Sequence, residues 1–193
     1  MVHANKMYEP NSKRDRLLEI MRVAAPVAVG LREATAKNGI HQASDFVNGI
    51  IFSGILLGKN LGKDRYSFDE IFNGVADDAI ALLAEGAHKD EVRKLQVHAM
   101  GVVDQTPSEM LIHVGLSSEG VISEVGEEQG LSPRQIMEMT ACIVVLMIAA
   151  NTNVEDYPSA VEMVRLSIEE KVEVWAELVP SDDEMFGDYL EED

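Results

Sequence analysis

A long apolar stretch that follows a clear helix start constrains the fold of this chain more than any other feature. Ser132-Pro-Arg-Gln135 is a capping box, in which the serine and glutamine side chains each satisfy a free backbone N–H of the first turn. Residues 133–150 follow and include ACIVVLMIAA, which is apolar almost all round a helix. Such a helix must be covered by other elements, so we expect it at the centre of a helical bundle.

Helical signals continue along the rest of the chain. Two more capping boxes occur, Ser67…Glu70 and Thr106…Glu109, and Pro26 predicts a bend or break in the first helix. The β-branched run 143–145 could form a strand, but its capping box and the segment length favour a helix. The predicted helices are 12–37, 42–60, 68–85, 89–103, 107–115, 118–128, 133–150 and about 155–179. We therefore predict an all-α fold: a single compact bundle of about seven or eight helices (1–179) with an acidic C-terminal tail (180–193).

The charge is strongly negative and unevenly spread. The net charge is −18, and residues 151–193 alone hold two basic and fourteen acidic side chains. Binding to a phosphate backbone requires clustered Lys and Arg, and the only cluster is Lys13, Arg14 and Arg16. We expect no direct nucleic-acid binding and no membrane binding. The acidic surface either keeps the protein soluble or complements a basic partner.

Cysteine use and hydropathy indicate the compartment. Cys142 is the only cysteine and lies in the apolar run, where a small buried hydrophobe is expected. An intramolecular disulfide is therefore impossible, which fits a reducing compartment. MVHANKMYEP has no apolar signal core, and the apolar run 139–150 is shorter than the roughly 20 residues that cross a bilayer. We expect a soluble, cytoplasmic protein.

The C-terminal third carries the clearest indication of a binding function. After Pro180, which ends the last helix, the tail SDDEMFGDYLEED mixes seven acidic residues with apolar and aromatic ones. Charge speeds the encounter with a basic partner, and aromatic side chains hold the complex. Alternatively, the aromatic side chains fold back onto the bundle. We predict a non-enzymatic protein-binding or regulatory protein whose basic partner could be a nucleic-acid-binding protein. The predicted contact residues are Glu169, Glu173, Glu177, Asp182, Asp183, Glu184, Phe186, Tyr189 and Leu190.

A run of glycines suggests an alternative function. Gly54, Gly58 and Gly62 are four residues apart and so lie near one side of the helix 42–60. Small residues at this spacing let two helices approach closely. The contact could be internal to the bundle, or it could join two copies of the chain through Gly54 and Gly58. The second reading predicts a structural or assembly component of a homo-oligomer.

Catalytic signatures are weak, and we predict no catalytic, cofactor or metal site. Glu169-Glu170-x-x-Glu173 resembles half of the carboxylate motif of the all-α nucleotide pyrophosphohydrolases, which implies a magnesium-dependent hydrolase as a third alternative. The nearest candidate for a partner motif is Asp77-Asp78.

The stretch 119–139 resembles a helix-turn-helix. Its second helix offers only Arg134 and Gln135 to base edges, however, so we expect a plain αα-hairpin.

Overall fold

The computed structural model describes residues 12–61, 67–96 and 108–178, and these form a bundle of helices. Within those ranges no strand occurs, which confirms the all-α prediction. The helices are α1 (Lys13–Lys37), α2 (Ala43–Asn60), α3 (Phe68–Ala84), α4 (Lys89–Lys94), α5 (Ser108–Glu128), α6 (Pro133–Asn151) and α7 (Tyr157–Ala176), with a single 3₁₀ turn, Val154–Asp156, before α7.

Helix α6 is the centre of the bundle, as predicted. It packs against all six other α-helices, and every side chain from Ile136 to Ala150 is buried. Its capping box forms: the Gln135 N–H donates to Ser132 Oγ, and the Ser132 N–H donates to Gln135 Oε1 at 2.9 Å. Among the described helices, α6 alone is long and apolar enough to cross a bilayer, but 83% of that stretch is buried inside the bundle. Its apolarity is therefore explained by its central position.

One charged side chain is buried on α6. Glu138 is 2% exposed, and its carboxylate accepts hydrogen bonds from Arg16 on α1 at 2.5 and 2.7 Å. It also accepts one from Nε of Arg134 at 3.1 Å. Burying a carboxylate is costly unless it is paired and hydrogen-bonded, and the two guanidinium groups meet both conditions. This cluster fixes the start of α1 against the start of α6.

Helix α2 packs most extensively on α5, and glycines bring the two backbones together. A Cβ atom at Gly49 would lie 2.2 Å from a Val114 methyl carbon, and one at Gly115 would lie 2.2 Å from the Phe52 ring. Neither distance is possible for real atoms, so only glycine permits this approach. The sequence analysis did not single out either residue.

One predicted helix interruption is wrong, and a second is wrong in part. The described residues of the predicted helices 107–115 and 118–128 belong to a single helix, α5 (Ser108–Glu128). Gly115 packs on Phe52, and the Ser117 hydroxyl donates to the His113 carbonyl at 2.7 Å. Both contacts are compatible with a continuous helix, so neither Gly115 nor Ser117 ends it. Pro26 lies inside α1, which continues without a break from residue 13 to residue 37. The break alternative is therefore wrong, and a bend at Pro26 stays a prediction.

Of the three predicted capping boxes, only that of α6 is observed. The Ser67 hydroxyl donates to the Asp69 carboxylate and makes no capping bond to the backbone of α3. The predicted box is therefore wrong: the Ser67 side chain turns to the neighbouring Asp69 carboxylate and accepts no bond from the backbone of the first turn. The box at Thr106 and the predicted helical residues 97–103 lie outside the described residues. Helix α4 ends at Lys94.

Helices α5 and α6 form the expected αα-hairpin. The turn contains Gly130 at φ +67°, a left-handed conformation that glycine adopts without strain. The second helix of the hairpin is α6, and it is buried from residue 136 to residue 150. A buried helix cannot enter a DNA groove, so the helix-turn-helix resemblance is confined to the connection.

We expect an asymmetric response at the buried carboxylate. The double variant Arg16→Met, Arg134→Met leaves Glu138 buried without its partners and should lower the free energy of unfolding by about 3 kcal/mol. Glu138→Met should cost about 1 kcal/mol or less, because the arginine side chains, 47% and 56% exposed, can turn to water. Urea unfolding measures both, and equal losses would contradict this account.

Two glycines of α5 provide a matched test of helix packing. Gly115→Ala forces the Phe52 ring to move and should destabilise the protein by about 2 kcal/mol. Gly120 has no atom within 4 Å of an added Cβ, so Gly120→Ala should stabilise it by about 1 kcal/mol through helix propensity. Thermal or urea unfolding of both variants would show opposite signs. The same sign in both would mean that α2 and α5 do not approach as described.

Candidate functional site

Helix α7 covers one side of the bundle and presents its other side to solvent. Val161 and Ile168 are buried, while Val164, Val172 and Trp175 are partly buried against the core. This is the inward stripe expected from their spacing. The Tyr157 hydroxyl at the start of α7 donates to the Ala149 carbonyl at 3.1 Å, which holds the beginning of α7 against the end of α6.

Both basic side chains of α7 turn toward the body of the protein. Arg165 donates to Asn73 Oδ1 at 2.7 Å and to Asp77 Oδ1 at 3.0 Å, both on α3, and also to Glu162. Lys171 Nζ lies 3.5 Å from Asn48 Oδ1 on α2 and 5.0 Å from the ring centroid of Trp175. The positive charge of α7 is thus directed at α2 and α3 and leaves the solvent side acidic.

The solvent side of α7, which we call the α7 outer face, mixes acidic and large apolar side chains. Met163, Leu166 and Val174 are 72%, 52% and 61% exposed. Glutamates surround them, and the whole face consists of Glu162, Met163, Leu166, Glu169, Glu170, Glu173, Val174 and Glu177. It therefore combines one sign of charge with apolar contact area.

The predicted contact residues divide between this face and the tail. Glu169, Glu173 and Glu177 are exposed on the α7 outer face and make no ion pair with any described residue. Asp182, Asp183, Glu184, Phe186, Tyr189 and Leu190 lie outside the described residues, and their role stays a prediction. The sequence analysis missed the three exposed apolar residues. They fall between the acidic positions of α7, opposite its inward stripe, and that spacing could have found them.

The two glycines predicted as an oligomer contact are buried in the protomer. A Cβ at Gly54 would lie 2.4 Å from the ring of Phe68 on α3, so this glycine serves a contact within the chain. Gly58 is also buried, and it lines a small cleft with Phe68, Val172 and Ala176. Internal close packing accounts for Gly54. Association of two copies stays a prediction.

The carboxylates suggested for magnesium do not converge. In the described part of the chain, no three His, Cys, Asp or Glu side chains stand close enough to hold a metal ion. Asp77 pairs with Arg165, and Asp78 pairs with Lys13 at 2.6 Å, so the candidate partner motif is engaged elsewhere. The Cys142 thiol is fully buried, and burial raises its pKa well above the usual range.

A groove opens beside the inner edge of α7. It lies between the start of α2, the end of α6 and the first part of α7, and has a volume of ≈ 630 Å³. Val47, Met147, Ile148, Ala160 and Val164 contribute its apolar lining, and Lys171 lies at its border with α2. No single sequence segment carries this feature, so the sequence analysis did not find it.

Comparison with known proteins does not assign a function. The chain matches no protein-family model, and neither the curated proteins nor the solved structures contain a significant match. The function must therefore be argued from the surface features of the chain itself.

We expect the Arg165 contacts to contribute to the attachment of α7. Arg165→Met removes hydrogen bonds to two residues of α3 and should lower the free energy of unfolding by about 1 kcal/mol. Arg22 is exposed on α1 and forms no ion pair with a described residue, so Arg22→Met should change it by less than about 0.5 kcal/mol. Urea unfolding compares the two. A loss in Arg22→Met equal to that in Arg165→Met would assign the effect to net charge.

Proposed function

We propose that this protein is a non-enzymatic binding or regulatory protein whose α7 outer face and acidic tail bind a basic protein. One observation carries the proposal: the solvent side of α7 exposes three large apolar side chains among glutamates, while both cations of the helix turn inward. The basic partner could itself be a nucleic-acid-binding protein, whose phosphate-binding site the acidic face would occupy.

The apolar residues argue for contact with another protein. If acidity served solubility alone, exposed Met163, Leu166 and Val174 would oppose it, because they add apolar surface to water. Six large hydrophobic side chains are exposed among the described residues, and these three share one helix face. Protein interfaces combine such a patch with a charged rim that speeds encounter and selects the partner.

The sign of the charge favours a partner different from this chain. Two copies that met through their α7 outer faces would bring Glu169, Glu173 and Glu177 of each close to those of the other. Like charges at an interface disfavour association, whereas Lys and Arg of a basic partner would gain favourable pairs. A cytoplasmic location is part of the proposal, and the buried free cysteine is compatible with such a reducing compartment.

The test uses charge-matched triple variants. Glu169→Gln, Glu173→Gln, Glu177→Gln removes three charges from the α7 outer face, and Glu124→Gln, Glu127→Gln, Glu128→Gln removes three from exposed positions of α5. Partners are captured from a cell lysate at low and high salt and the affinity of the purified complex is then measured. The α7 variant should bind about tenfold more weakly, because each exposed charge pair contributes about 0.5 kcal/mol. The α5 variant should bind as the wild type does.

A chain that ends at residue 179 separates the tail from the helix. If the truncated chain loses salt-sensitive binding and the α7 variant keeps it, the contact lies in the tail. If both the truncated chain and the α7 variant lose binding, the tail and the α7 outer face form the contact together. Binding that is insensitive to salt, or weakened equally in the α5 and α7 variants, would contradict the proposal.

A further inference from the structure

The groove beside α7 has the size and lining of a small-molecule site. Its volume of ≈ 630 Å³ lies within the range of about 300–1,000 Å³ that is typical of ligand pockets. Partly buried Val47, Ala160 and Val164 line it together with buried Met147 and Ile148. An α-helix is about 10 Å across with its side chains, so a helix of a partner protein would need a larger groove.

One positively charged side chain lies at the border of this apolar lining. Lys171 is half-buried, and among the described residues it makes no ion pair. Its ammonium group lies 3.5 Å from Asn48 Oδ1 and 5.0 Å from the Trp175 ring centroid, and neither neighbour carries a negative charge. Burial lowers the pKa of Lys171, and the nearby Glu170 offsets this in part. An anion in the groove would stabilise the ammonium group at this position.

We propose that the groove binds a small amphipathic monocarboxylate, which is a single aliphatic chain ending in one carboxylate. The chain would lie against Val47, Met147 and Ile148, and the carboxylate would pair with Lys171. Residues 160 and 171 are separated by about 16 Å along α7, which accommodates an extended alkyl chain.

The lining also sets the number of charges that the ligand carries. Among the residues that the structure describes, Lys171 and Asp156 are the only charged ones that line the groove. Asp156 lies just before α7, whereas Lys171 lies in its second half, so the two charges are at different ends of the groove. A second carboxylate on the ligand would be repelled by Asp156, which selects a monoacid over a diacid. Met163 is common to the groove and the α7 outer face, but the groove is tested at Lys171 and Ala160 and the outer face at Glu169, Glu173 and Glu177, so the two proposals can fail independently.

Trp175 offers a direct readout of head-group binding. It is the only tryptophan of the chain, and its ring lies beside the Lys171 ammonium group. Decanoate, added to the full-length protein below the concentration at which it forms micelles, should change the tryptophan fluorescence along a saturable curve. Decanol has the same chain without the charge and should bind at least tenfold more weakly. Sebacate, which is a ten-carbon diacid, should also bind more weakly than decanoate.

Variants then locate the site. Lys171→Met should abolish the preference for decanoate over decanol, and Ala160→Leu, which narrows the groove, should weaken both ligands. Lys94 is exposed on α4, so Lys94→Met removes the same charge away from the groove and should bind as the wild type does. A thermal shift with decanoate gives a second readout that does not depend on Trp175.

Three results would overturn the proposal. Equal affinity for decanoate and decanol in the wild type would mean that Lys171 does not recognise the carboxylate. Unchanged binding in both Lys171→Met and Ala160→Leu would place the ligand elsewhere. Binding that appears only when the chain ends at residue 179 would mean that the acidic tail, and not a free ligand, occupies the groove.

Discussion

Burial of α6 on all sides is the constraint on which the rest of the structure depends. Fifteen consecutive residues of this helix, Ile136 to Ala150, are removed from water, and each of the other α-helices packs against it. Burial of apolar area is the largest favourable contribution to folding, so the surrounding helices are placed by the need to cover this one. The single acid among them, Glu138, is 2% exposed and requires its two arginine partners to offset the cost of burying its charge.

The two candidate binding surfaces follow from how α7 covers α6. A helix that packs on the core with one side presents its other side to solvent, and charged residues that make no contact with the core lie on that side. Arg165 and Lys171 are drawn toward α3 and α2, which leaves glutamates and three apolar side chains in solvent. The groove is a gap in the same cover, where Met147 and Ile148 near the end of α6 border the space between α2 and α7.

Sequence patterns predicted individual helices well where the signal was local and did not depend on a tertiary contact. The capping box at Ser132 is observed, whereas the one at Ser67 is not, since the Ser67 side chain turns to Asp69. The predicted helix 107–115 stops at Gly115, yet this glycine lies within α5, where the Phe52 ring fills the space beside it. In the sequence, a glycine that ends a helix looks the same as a glycine that allows another side chain to pack closely against the helix. Only the tertiary contact distinguishes these two cases.

The amino-acid sequence by itself determined the all-α class, the central position of α6 and the acidic character of the C-terminal third, because these depend on spacing and composition within short segments. The tertiary structure decided which side chains of α7 face solvent, where Lys171 lies and that a groove exists. These depend on contacts between distant parts of the chain: Arg165 and Asp77 are 88 residues apart, and Lys171 and Asn48 are 123 residues apart. Periodicity within one helix cannot specify which distant residue its side chains will meet.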